Sequence, residues 1–559
     1  MTALLDVTDF GAHPGQHHAD ATPAVRAALR AAAAEAGPVV LRFPPGDYHL
    51  WPDDAQRREL YVSNTVGDDP RHRVKTIALL VQDTDDLVIA GEGARLVLHG
   101  LQTAFAVIDS RHVRIEGLEF DAAVPTVVDA TVVGAGPAHR VIRVPPATLF
   151  RIDGTSIRWH GETLRSGALA WSGRDALEYT QIHDPVRQRT WRGPNPLFER
   201  VRSIRSVGER DLRIDYEHDD EPADLGLVYS MRPTTRDHPG GVVLDSSGVT
   251  LLRLRFRFLH GFGVVAQTSR DVTLEGCQFQ PPPGSGRHSA GFADFVQFCG
   301  CSGRAVVRDC SFDGPHDDAI NVHGSYLRVT GQPDPRTIEL EYPHAETAGF
   351  AQFSPADRIE LVDRATLQPV GSATVSAVRQ PSGRAHDRPL RTMVVTVDAD
   401  LPGALAGRTA VENVTRTPSV LIAGNTFRNI PTRGVLVTTR RAVLIEGNRF
   451  ERTGMAAIYV SGDADEWWES GPVHDLTIRG NEFIEPGGPA ILLDPRNTRC
   501  DGEHPVHSGV VVTDNRFVLN GSPALDAKCT RGIHFRDNAV ARRGAQGPDV
   551  ILRTCSDLT

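Results

Sequence analysis

The sequence is poor in lysine, in aromatic residues and in long apolar runs. Of its 559 residues 6% are aromatic, and lysine occurs at positions 75 and 528 alone. No run of about 18 apolar residues is present, so we expect no membrane span. The first residues, "MTALLDVTDFGAHPG", lack the basic and apolar segments of a signal peptide. Two compartments therefore stay open: the cytoplasm, or secretion with a leader already removed.

Positive charge is neither abundant nor clustered. The formal net charge is -10 at pH 7, and acidic and basic residues alternate along the chain without long runs of either. Such a chain offers no basic face for phosphate groups. Neither nucleic acid nor a membrane is therefore expected as a partner, and a homodimer is the assembly that we consider.

Cysteine is also sparse. An odd, thinly spread set in a chain of this length does not predict a disulfide framework. Cys299 and Cys301 lie close together, but no second pair follows at the spacing of zinc ligands. No phosphate-binding loop, His-Glu-x-x-His motif or nucleophile elbow occurs either. We therefore expect no metal ion and no cofactor. The seven cysteines are Cys277, Cys299, Cys301, Cys310, Cys500, Cys529 and Cys555.

Glycine and proline, in contrast, are plentiful. The chain has 52 glycines and 38 prolines. With so few aromatic residues, this composition favours many short strands and turns over long helices. An all-β fold is the first expectation.

A short motif repeats along the chain: an alternating strand, a polar pair and an apolar residue two places further on. Its copies end 23 residues apart, as from Phe427 to Phe450, or 33 apart, as from Phe450 to Phe483. A coil of about 23 residues, with loops of roughly ten inserted at one corner, explains both spacings. We therefore predict a solenoid of strands. The copies include "VTLEGCQF" (272–279), "AVVRDCSF" (305–312), "VLIAGNTF" (420–427), "VLIEGNRF" (443–450), "LTIRGNEF" (476–483) and "VVVTDNRF" (510–517).

One position of the motif, two residues before its end, is asparagine in most copies. Asparagine tolerates the left-handed conformation of a turn, and equivalent residues of a parallel β-helix stack from coil to coil. The position therefore predicts an amide ladder in a parallel β-helix. A helical repeat is a poor alternative, because each unit is too short for a helix pair. The position is occupied by Cys277, Cys310, Asn425, Asn448, Asn481, Asn515 and Asn538.

The remaining segments complete the predicted organisation. Thr22 is expected to cap a helix that begins at Pro23 and ends near Gly37, and that plugs the open end of the solenoid. Two stretches with strand alternation but no asparagine position are predicted to be inserted antiparallel β modules. The predicted units are 1–120 with the cap and first coils, 121–240 as first insert, 241–325 as coils, 326–418 as second insert, and 419–559 as the last coils.

Two adjacent aspartates, Asp317 and Asp318 of "HDDAINVHG", precede an apolar strand. Asp294 lies 23 and 24 residues upstream of them, which is one coil, so the three carboxyl groups are expected to share one patch. Mutual repulsion raises the pKa of at least one of them, as acid and base catalysis of glycoside hydrolysis requires. A solvated acidic surface and a divalent metal site are the alternatives.

Candidate sugar ligands lie near the aspartates in the predicted coils. The loop "SGDADEWWESGPVHDL" offers Trp467, Trp468 and Glu469 for stacking and hydroxyl binding, although a tryptophan here can instead close a corner of the core. Weaker candidates, which more often belong to a turn ladder or a solvated face, are Gln267, Gln297, Asn321, His323, Asp494 and Arg496.

Four segments carry a resemblance to a known family: "PPPGSGRHSAGFADFVQFCGCSG", "CSFDGPHDDAINVHGSYLRV", "PTRGVLVTTRRAVLIEGNRF" and "DEWWESGPVHDLTIRGNEF". They resemble glycoside hydrolase family 110, and the likeness covers nearly the whole chain. These enzymes are inverting α-1,3-galactosidases that remove terminal galactose, as on blood-group-B-type glycans. The resemblance implies a right-handed parallel β-helix with two inserted β-barrel-like modules, a carbohydrate substrate and no cofactor.

The resemblance also implies residue roles. The family motif places the catalytic groups at Asp294, Asp317 and Asp318. By analogy with β-helix polygalacturonases, Asp317 is the general acid, and Asp294 and Asp318 hold the water. The chain departs from the family where it reads "ADFVQF" instead of a segment like "ADATHF". It also departs in the segment "AQTSRD", which has Thr268 where the family has an arginine-containing segment. We expect these changes to flank the groove and to affect linkage preference and tolerance of a fucose branch.

Two other classes of β-helix protein are weighed against this interpretation. A polygalacturonase or uronate lyase requires cations for the uronate, and the region 288–325 offers only Arg304 and Arg308 as cations. A non-catalytic glycan-binding solenoid does not need clustered carboxylates.

Overall fold

The computed structural model describes residues 2–174, 180–218, 223–380, 391–500 and 502–558. Successive coils pair in parallel to build three long sheets. The predicted all-β parallel β-helix is therefore confirmed. Sheet 1 contains Ala3–Asp6, Val39–Arg42, Leu87–Ala90, Arg114–Glu116, Ser247–Leu252, Arg270–Glu275, Ser302–Arg308, Ser419–Ala423, Val443–Glu446, Leu476–Arg479, His507–Thr513, Thr530–Arg536 and Ser556–Leu558.

The other two sheets run alongside sheet 1, and apolar side chains of all three fill one continuous core between them. Sheet 2 contains Gly46–Leu50, Ala94–Leu98, Glu119–Ala122, Arg255–Phe256, Gln278–Phe279, Ser311–Asp313, Thr426–Arg428, Arg449–Glu451, Glu482–Ile484, Arg516–Leu519 and Ala539–Arg542. Sheet 3 contains Gln56–Glu59, Val74–Gln82, Thr103–Ile108, Gly241–Leu244, Val264–Gln267, Val296–Cys299, Ile320–Ser325, Val435–Val437, Ile458–Val460, Ile491–Leu493, Leu525–Lys528 and Val550–Arg553, with Glu469–Ser470 added antiparallel to one of them.

The phenylalanine that ends each motif stacks on its counterpart in the next coil. The ring centroids of Phe427 and Phe450 are 4.4 Å apart, and those of Phe450 and Phe483 are 5.1 Å apart. Offset or parallel contacts of this kind stabilise aromatic pairs beyond the area that they bury. Because only one register stacks every ring, the phenylalanines help to fix the register of the coils.

The asparagine position forms the predicted ladder. Asn448 Oδ1 accepts hydrogen bonds from the backbone N and from Nδ2 of Asn425, both at 2.9 Å. Its own Nδ2 donates to Asn481 Oδ1 at 2.9 Å. The left-handed residue is the one before the asparagine, such as Gly424 (φ 66°) and Gly447 (φ 62°). The conformational reason for asparagine was therefore wrong, since the amide is selected for its hydrogen bonds.

One α-helix, Thr22–Ala34, packs on the first coils. Its Val25 and Leu29 belong to the main core, as the predicted cap requires. The helix starts one residue early, with Ala21 at the N-cap, and Thr22 does not cap it. Asp20 Oδ1 instead accepts from the backbone N of Thr22 at 2.8 Å. Within the described residues no helix is long and apolar enough to cross a membrane.

The first insert is a pair of antiparallel sheets. Both sheets contribute to one core, in which Trp159 of the smaller sheet is fully buried. In the described residues the larger sheet is open, so this module differs from the predicted barrel-like form. The larger sheet contains, in spatial order, Arg189–Gly193, Thr180–Asp184, Val228–Met231, Val128–Gly136, His139–Arg143, Asp211–Tyr216 and Val201–Ser206; the smaller contains Leu149–Asp153, Ser156–His160 and Ser172–Gly173.

The second insert closes into a six-stranded antiparallel barrel with its own apolar core. It lies between the strand Ile320–Ser325 and the next strand of sheet 1, at the corner where the sequence pattern placed it. In spatial order the barrel contains Leu327–Asp334, Thr337–Glu341, Thr392–Val397, Pro369–Arg379, Arg358–Asp363 and Thr409–Asn413. Short 3-10 helices occupy Val7–Phe10, Pro70–Arg73, Pro196–Phe198 and Ala345–Thr347.

One disulfide joins Cys500 and Cys529, whose Cα atoms are 6.1 Å apart. Sequence spacing did not suggest it, because the two residues are brought together by the stacking of the last coils. Cys299 and Cys301 are free and buried in the β-helix. Burial raises the pKa of each of these thiols to about 12, so neither is a ready metal ligand.

The ladder predicts a specific loss of stability. Asn448→Ala removes an amide that is 1% exposed and leaves buried donors on Asn425 without an acceptor. We expect the free energy of unfolding to fall by about 3 kcal/mol, measured by urea denaturation. Asn520→Ala, at an exposed asparagine, is the control and should change it by less than about 0.5 kcal/mol. Equal effects of the two substitutions would contradict the ladder's role.

Candidate active site

A pocket of about 230 Å³ opens on the outer face of sheet 3. Asn321, Leu436 and Tyr459 form its floor, in register on three successive strands. Its volume is below the ~300–1,000 Å³ of pockets for drug-sized ligands, so it suits a single ring. The pocket is lined by Asn64, Arg236, Phe262, Asp294, Asp317, Asp318, Asn321, Arg433, Leu436, Tyr459, Ser461, Asp463, Glu466, Trp467, Glu469 and Arg496.

The three candidate aspartates enter the pocket from turns that precede strands of sheet 3. The strand Ile320–Ser325 pairs in register with the strands before and after it. Asp294, Asp318 and Arg433 each lie two residues before one of these strands. They are therefore stacked on successive coils, ~4.8 Å apart, with Asp317 beside them.

Asp294 is the carboxyl group of the trio that favours protonation. Its side chain is buried, with the residue 6% exposed. Burial first, and then the charges of Asp317 and Asp318, raise the pKa of Asp294 well above its ordinary value. Asp294 is therefore the member of the trio that most favours holding a proton.

Asp317 and Asp318 are instead paired with arginines. Arg192 Nη2 lies 2.8 Å from Asp317 Oδ2, and Arg433 Nε donates to Asp318 Oδ1 at 2.8 Å. Burial would raise the pKa of Asp317, but Arg192 and Arg433 hold it below its ordinary value. These pKa directions differ from the expected division of roles, in which Asp317 carries the proton.

The loop 461–471 lies over the pocket and is shaped by Asp463. The two carboxylate oxygens of Asp463 accept from the backbone N of Asp465 (2.7 Å), Glu466 (2.9 Å) and Trp467 (2.8 Å). The following Glu469–Ser470 pairs antiparallel with the end of Ile320–Ser325. These contacts place Trp467 and Glu469 at the pocket.

The two adjacent tryptophans do different jobs. Trp467 is 39% exposed, lines the pocket and packs against His344 of the barrel with ring centroids 4.6 Å apart. Trp468 is 3% exposed and lies in a cluster with Tyr326, under the guanidinium of Arg364 at 4.6 Å. Trp468 is therefore a core residue and does not reach the pocket.

The four polar candidates on the strands of sheet 3 separate in the same way. Asn321 lines the pocket and its Nδ2 donates to Glu469 Oε1 at 3.4 Å. Gln267 is fully buried and binds the segment 61–63, accepting from the backbone N of residue 63 at 2.8 Å. Gln297 pairs in register with Asn321, and Gln297 Nε2 and His323 Nε2 are 3.0 Å apart. Gln267, Gln297 and His323 do not line the pocket.

The departures from the family pattern also lie away from the pocket. Phe295 and Val296 of "ADFVQF" point into the main core, where Phe295 lies 5.1 Å from Phe279 between ring centroids. Thr268 Oγ1 donates to Asp245 Oδ1 at 2.6 Å in a turn. None of these three side chains lines the pocket, whereas Gln297, the other changed position of "ADFVQF", pairs in register with Asn321 of its floor. The effect on linkage preference stays a prediction.

Several residues of the site were missed by sequence reasoning. Arg433 could have been found, because aligning "RGVLV" with "DAINV" across the second insert places it one coil after Asp318. Arg192 was not, since it belongs to the first insert and its place depends on how that module folds back. Asn64 and Arg236 lie in loops that carry no repeat signal.

The donor set of the trio does not suit a divalent cation. Arginine side chains contact Asp317 and Asp318, and a metal ion would have to displace them. This arrangement favours acid and base chemistry over the metal alternative.

A second group, Asp237, His238 and His260, brings possible ligand atoms within 4.8 Å of one another among the described residues. His238 Nε2 accepts from the backbone N of Thr76 at 3.1 Å, so the proton of its neutral ring is on Nδ1. That proton faces Asp237, and His260 Nε2 lies 2.7 Å from the same carboxylate oxygen. The group is a hydrogen-bonded network, since Nδ1 has no lone pair for a metal.

A parallel β-helix with stacked carboxylates, paired arginines and an exposed tryptophan around a ring-sized pocket is the construction of a carbohydrate-active β-helix protein.

The comparisons with known proteins narrow this class. The chain is 50% identical over 554 residues to the α-1,3-galactosidase A of Streptomyces avermitilis, covering 98% of this chain and 88% of that protein. It is 34% identical to the α-1,3-galactosidase A of Bacteroides thetaiotaomicron, covering 95% and 91%. A family model described as GLAA-B beta-barrel domain II matches residues 337–407, within the barrel. The chain therefore belongs to the α-1,3-galactosidase family, glycoside hydrolase family 110.

A solved structure with overall similarity is the family 28 exopolygalacturonase of Yersinia enterocolitica. Its TM-score is 0.43 at 11% identity, with 100% of this chain and 78% of that chain covered. The family assignment rests on the relatives named above.

The raised pKa of Asp294 predicts a pH-dependent gain in stability on its removal. The native state holds a proton on Asp294 that the unfolded state releases above about pH 4, so the wild type loses stability as pH rises towards the native pKa. Asp294→Asn does not carry this cost. We expect its melting temperature to exceed that of the wild type at pH 8 and to match it at pH 4.

Asp53→Asn, at an exposed aspartate, is the control and should follow the wild type at both pH values. A gain of Asp294→Asn that is the same at pH 4 and pH 8 would contradict the interpretation.

Proposed function

We propose that the chain is an inverting exo-α-1,3-galactosidase, which hydrolyses terminal α-1,3-linked galactose from linear or blood-group-B-type glycans. The stacked trio carries the proposal: Asp294 favours its protonated form, and Asp317 and Asp318 form ion pairs with arginines. Glycoside hydrolysis requires a proton donor and a carboxylate on opposite sides of the scissile bond. Membership of the galactosidase family supports the sugar and the linkage.

In the proposed reaction a carboxylic acid of the trio gives its proton to the glycosidic oxygen, and the bond from that oxygen to C1 breaks. A water molecule attacks C1 from the opposite face, and a carboxylate of the trio takes its proton. The products are β-galactose and the shortened glycan, and the trio has regained the proton it gave. No cofactor is consumed.

Within the trio we assign the proton transfer to the leaving group to Asp317. Its side chain is 23% exposed, compared with 2% for Asp318, so it has the better access to an incoming glycan. In this proposal Asp294, whose pKa is raised, passes its proton to the neighbouring Asp317 when the sugar binds. Asp294 and Asp318 then hold the attacking water.

The galactose is held by the other residues of the pocket. Trp467 offers an exposed ring for the apolar face of the sugar, and Glu469 offers a carboxylate for its hydroxyl groups. Asn321 Oδ1 is buried and has no hydrogen-bond partner among the described residues. A sugar hydroxyl would satisfy it, which makes Asn321 a ligand in this proposal.

A uronate substrate is disfavoured by the charge of the pocket. Three arginines line it, but each lies near an acid: Arg433 at Asp318, Arg236 at Glu346 and Arg496 at Glu466. Six acidic residues line the pocket in total. An additional carboxylate on the sugar would therefore be repelled by a pocket of net negative charge. A polygalacturonase or a uronate lyase would instead need a basic pocket.

The stereochemical prediction is checked by proton NMR of the enzyme acting on an α-1,3-linked galactose disaccharide. We expect β-galactose as the first anomer released, because water attacks from the face opposite to the leaving group. Early α-galactose would mean that one aspartate is a nucleophile, and no release from any α-galactoside would overturn the proposed function.

The role of Asp317 is checked with two substrates. Asp317→Asn should lower kcat/KM for the disaccharide by about 10²–10⁴, but much less for an aryl α-galactoside whose phenol needs no protonation. Asp294→Asn should impair both substrates, because it removes part of the water-holding pair. The reverse pattern would make Asp294 the acid.

A further inference from the structure

Lys75, at the start of a strand of sheet 3, is buried among backbone carbonyl groups. Its Nζ donates to the carbonyl oxygens of Thr65 at 2.8 Å and Asp237 at 2.6 Å, and also to that of His72. All three N–H donors are therefore used. Burial lowers the pKa of Lys75 to about 7, although Asp237 and Glu346 favour its charge. The three carbonyl oxygens offset part of the free-energy cost of burying the ammonium group.

The segments that Lys75 joins carry two residues of the pocket. Thr65 follows Asn64 and Asp237 follows Arg236, and both Asn64 and Arg236 line the pocket. These segments lie 172 positions apart in the chain (237 less 65) and meet only in the folded protein. The ammonium group of Lys75 thus fixes one rim of the pocket from behind.

Lys528, the last residue of its strand, makes the same kind of contact at another rim. Its Nζ donates to the carbonyl oxygens of Pro495 at 2.8 Å and Asn497 at 3.3 Å. The residue between them, Arg496, lines the pocket and contacts Glu466 at 2.7 Å. Lys528 is therefore hydrogen-bonded to the backbone on both sides of Arg496.

These two positions are the exceptions in a chain that otherwise uses arginine. Of 60 lysine and arginine residues, two are lysines and 58 are arginines. A compact ammonium group can direct its three N–H bonds from one atom to carbonyl groups of separate segments, whereas a guanidinium group directs its N–H bonds within one plane. The contacts therefore give the lysines at 75 and 528 a specific structural role.

We propose that Lys75 and Lys528 are positioning residues for the sugar pocket, Lys75 acting through Asn64 and Arg236, and Lys528 through Arg496. The proposal rests on the galactosidase function, since it names residues that hold the walls against which the galactoside binds. Neither lysine lines the pocket itself. Their loss should therefore weaken binding of the sugar and leave the trio intact.

The test is a double-mutant cycle on KM and kcat. Lys528→Met should raise KM for the disaccharide about tenfold with kcat changed less than about twofold. In an Arg496→Ala background the same substitution should have no further effect on KM, because its target is gone. In a second cycle Lys75→Met is combined with Arg236→Ala, and we expect the same lack of a further effect on KM. Arg111→Met, which removes an exposed cation paired with Asp85, is the control and should not change KM.

Additive effects on KM, or a lower melting temperature with an unchanged KM, would overturn the proposal. If Lys75→Met does not fold, Lys75→Arg keeps the charge and should still raise KM, because the guanidinium group cannot reach all three carbonyl oxygens.

The dissociation constant for galactose, measured by calorimetry, separates the role of the lysines from the proposed galactosidase function. A wild type that binds galactose without hydrolysing any α-galactoside would refute the proposed function, while the cycle on this constant would still decide the role of the lysines.

Discussion

Hydrogen bonding between coils, strand on strand in fixed register, is the constraint from which the site follows. Residues at equivalent places in successive coils become neighbours ~4.8 Å apart, whatever their separation in the chain. Asp318 and Arg433 are 115 residues apart, with the whole barrel between them, and yet they form an ion pair. The asparagine ladder and the stacked phenylalanines hold this register, so a slip of the coils would separate the charges of the pocket.

The inserted modules complete what the β-helix cannot supply. Outward residues of sheet 3 provide the floor, and the turns before its strands provide the carboxyl groups, but the β-helix alone offers Asp317 only Arg433, at 3.9 Å. Arg192 reaches it from the first insert, and Gln181 of the same insert binds the backbone oxygen of His316 beside it. From the barrel, His344 packs against Trp467. A buried carboxylate needs such a partner, since an unpaired charge would be neutralised by proton uptake.

The repeat made the β-helix and the aspartate trio predictable, because both depend on periodic spacing alone. The ladder was predicted for a partly wrong reason, since the glycine or aspartate before each asparagine adopts the turn conformation. For Trp467 and Trp468, the sequence indicated that one could bind the sugar and the other pack in the core, but not which residue does which. The backbone hydrogen bonds that Asp463 accepts decide between them, and their pattern is not periodic. Gln267 faces outward as expected, but the segment 61–63 covers it. The sequence of its own strand does not indicate this burial.

The scarcity of lysine has a practical side. Reagents that attach proteins to surfaces or dyes through lysine amines find one such group fully buried and the other, on Lys528, with 25% of its side chain exposed. That amine sits behind Arg496 at the mouth of the pocket. Coupling through lysine would therefore tether the molecule beside its own binding site. Immobilisation through the abundant carboxyl groups of the opposite sheets would leave the mouth facing the solution.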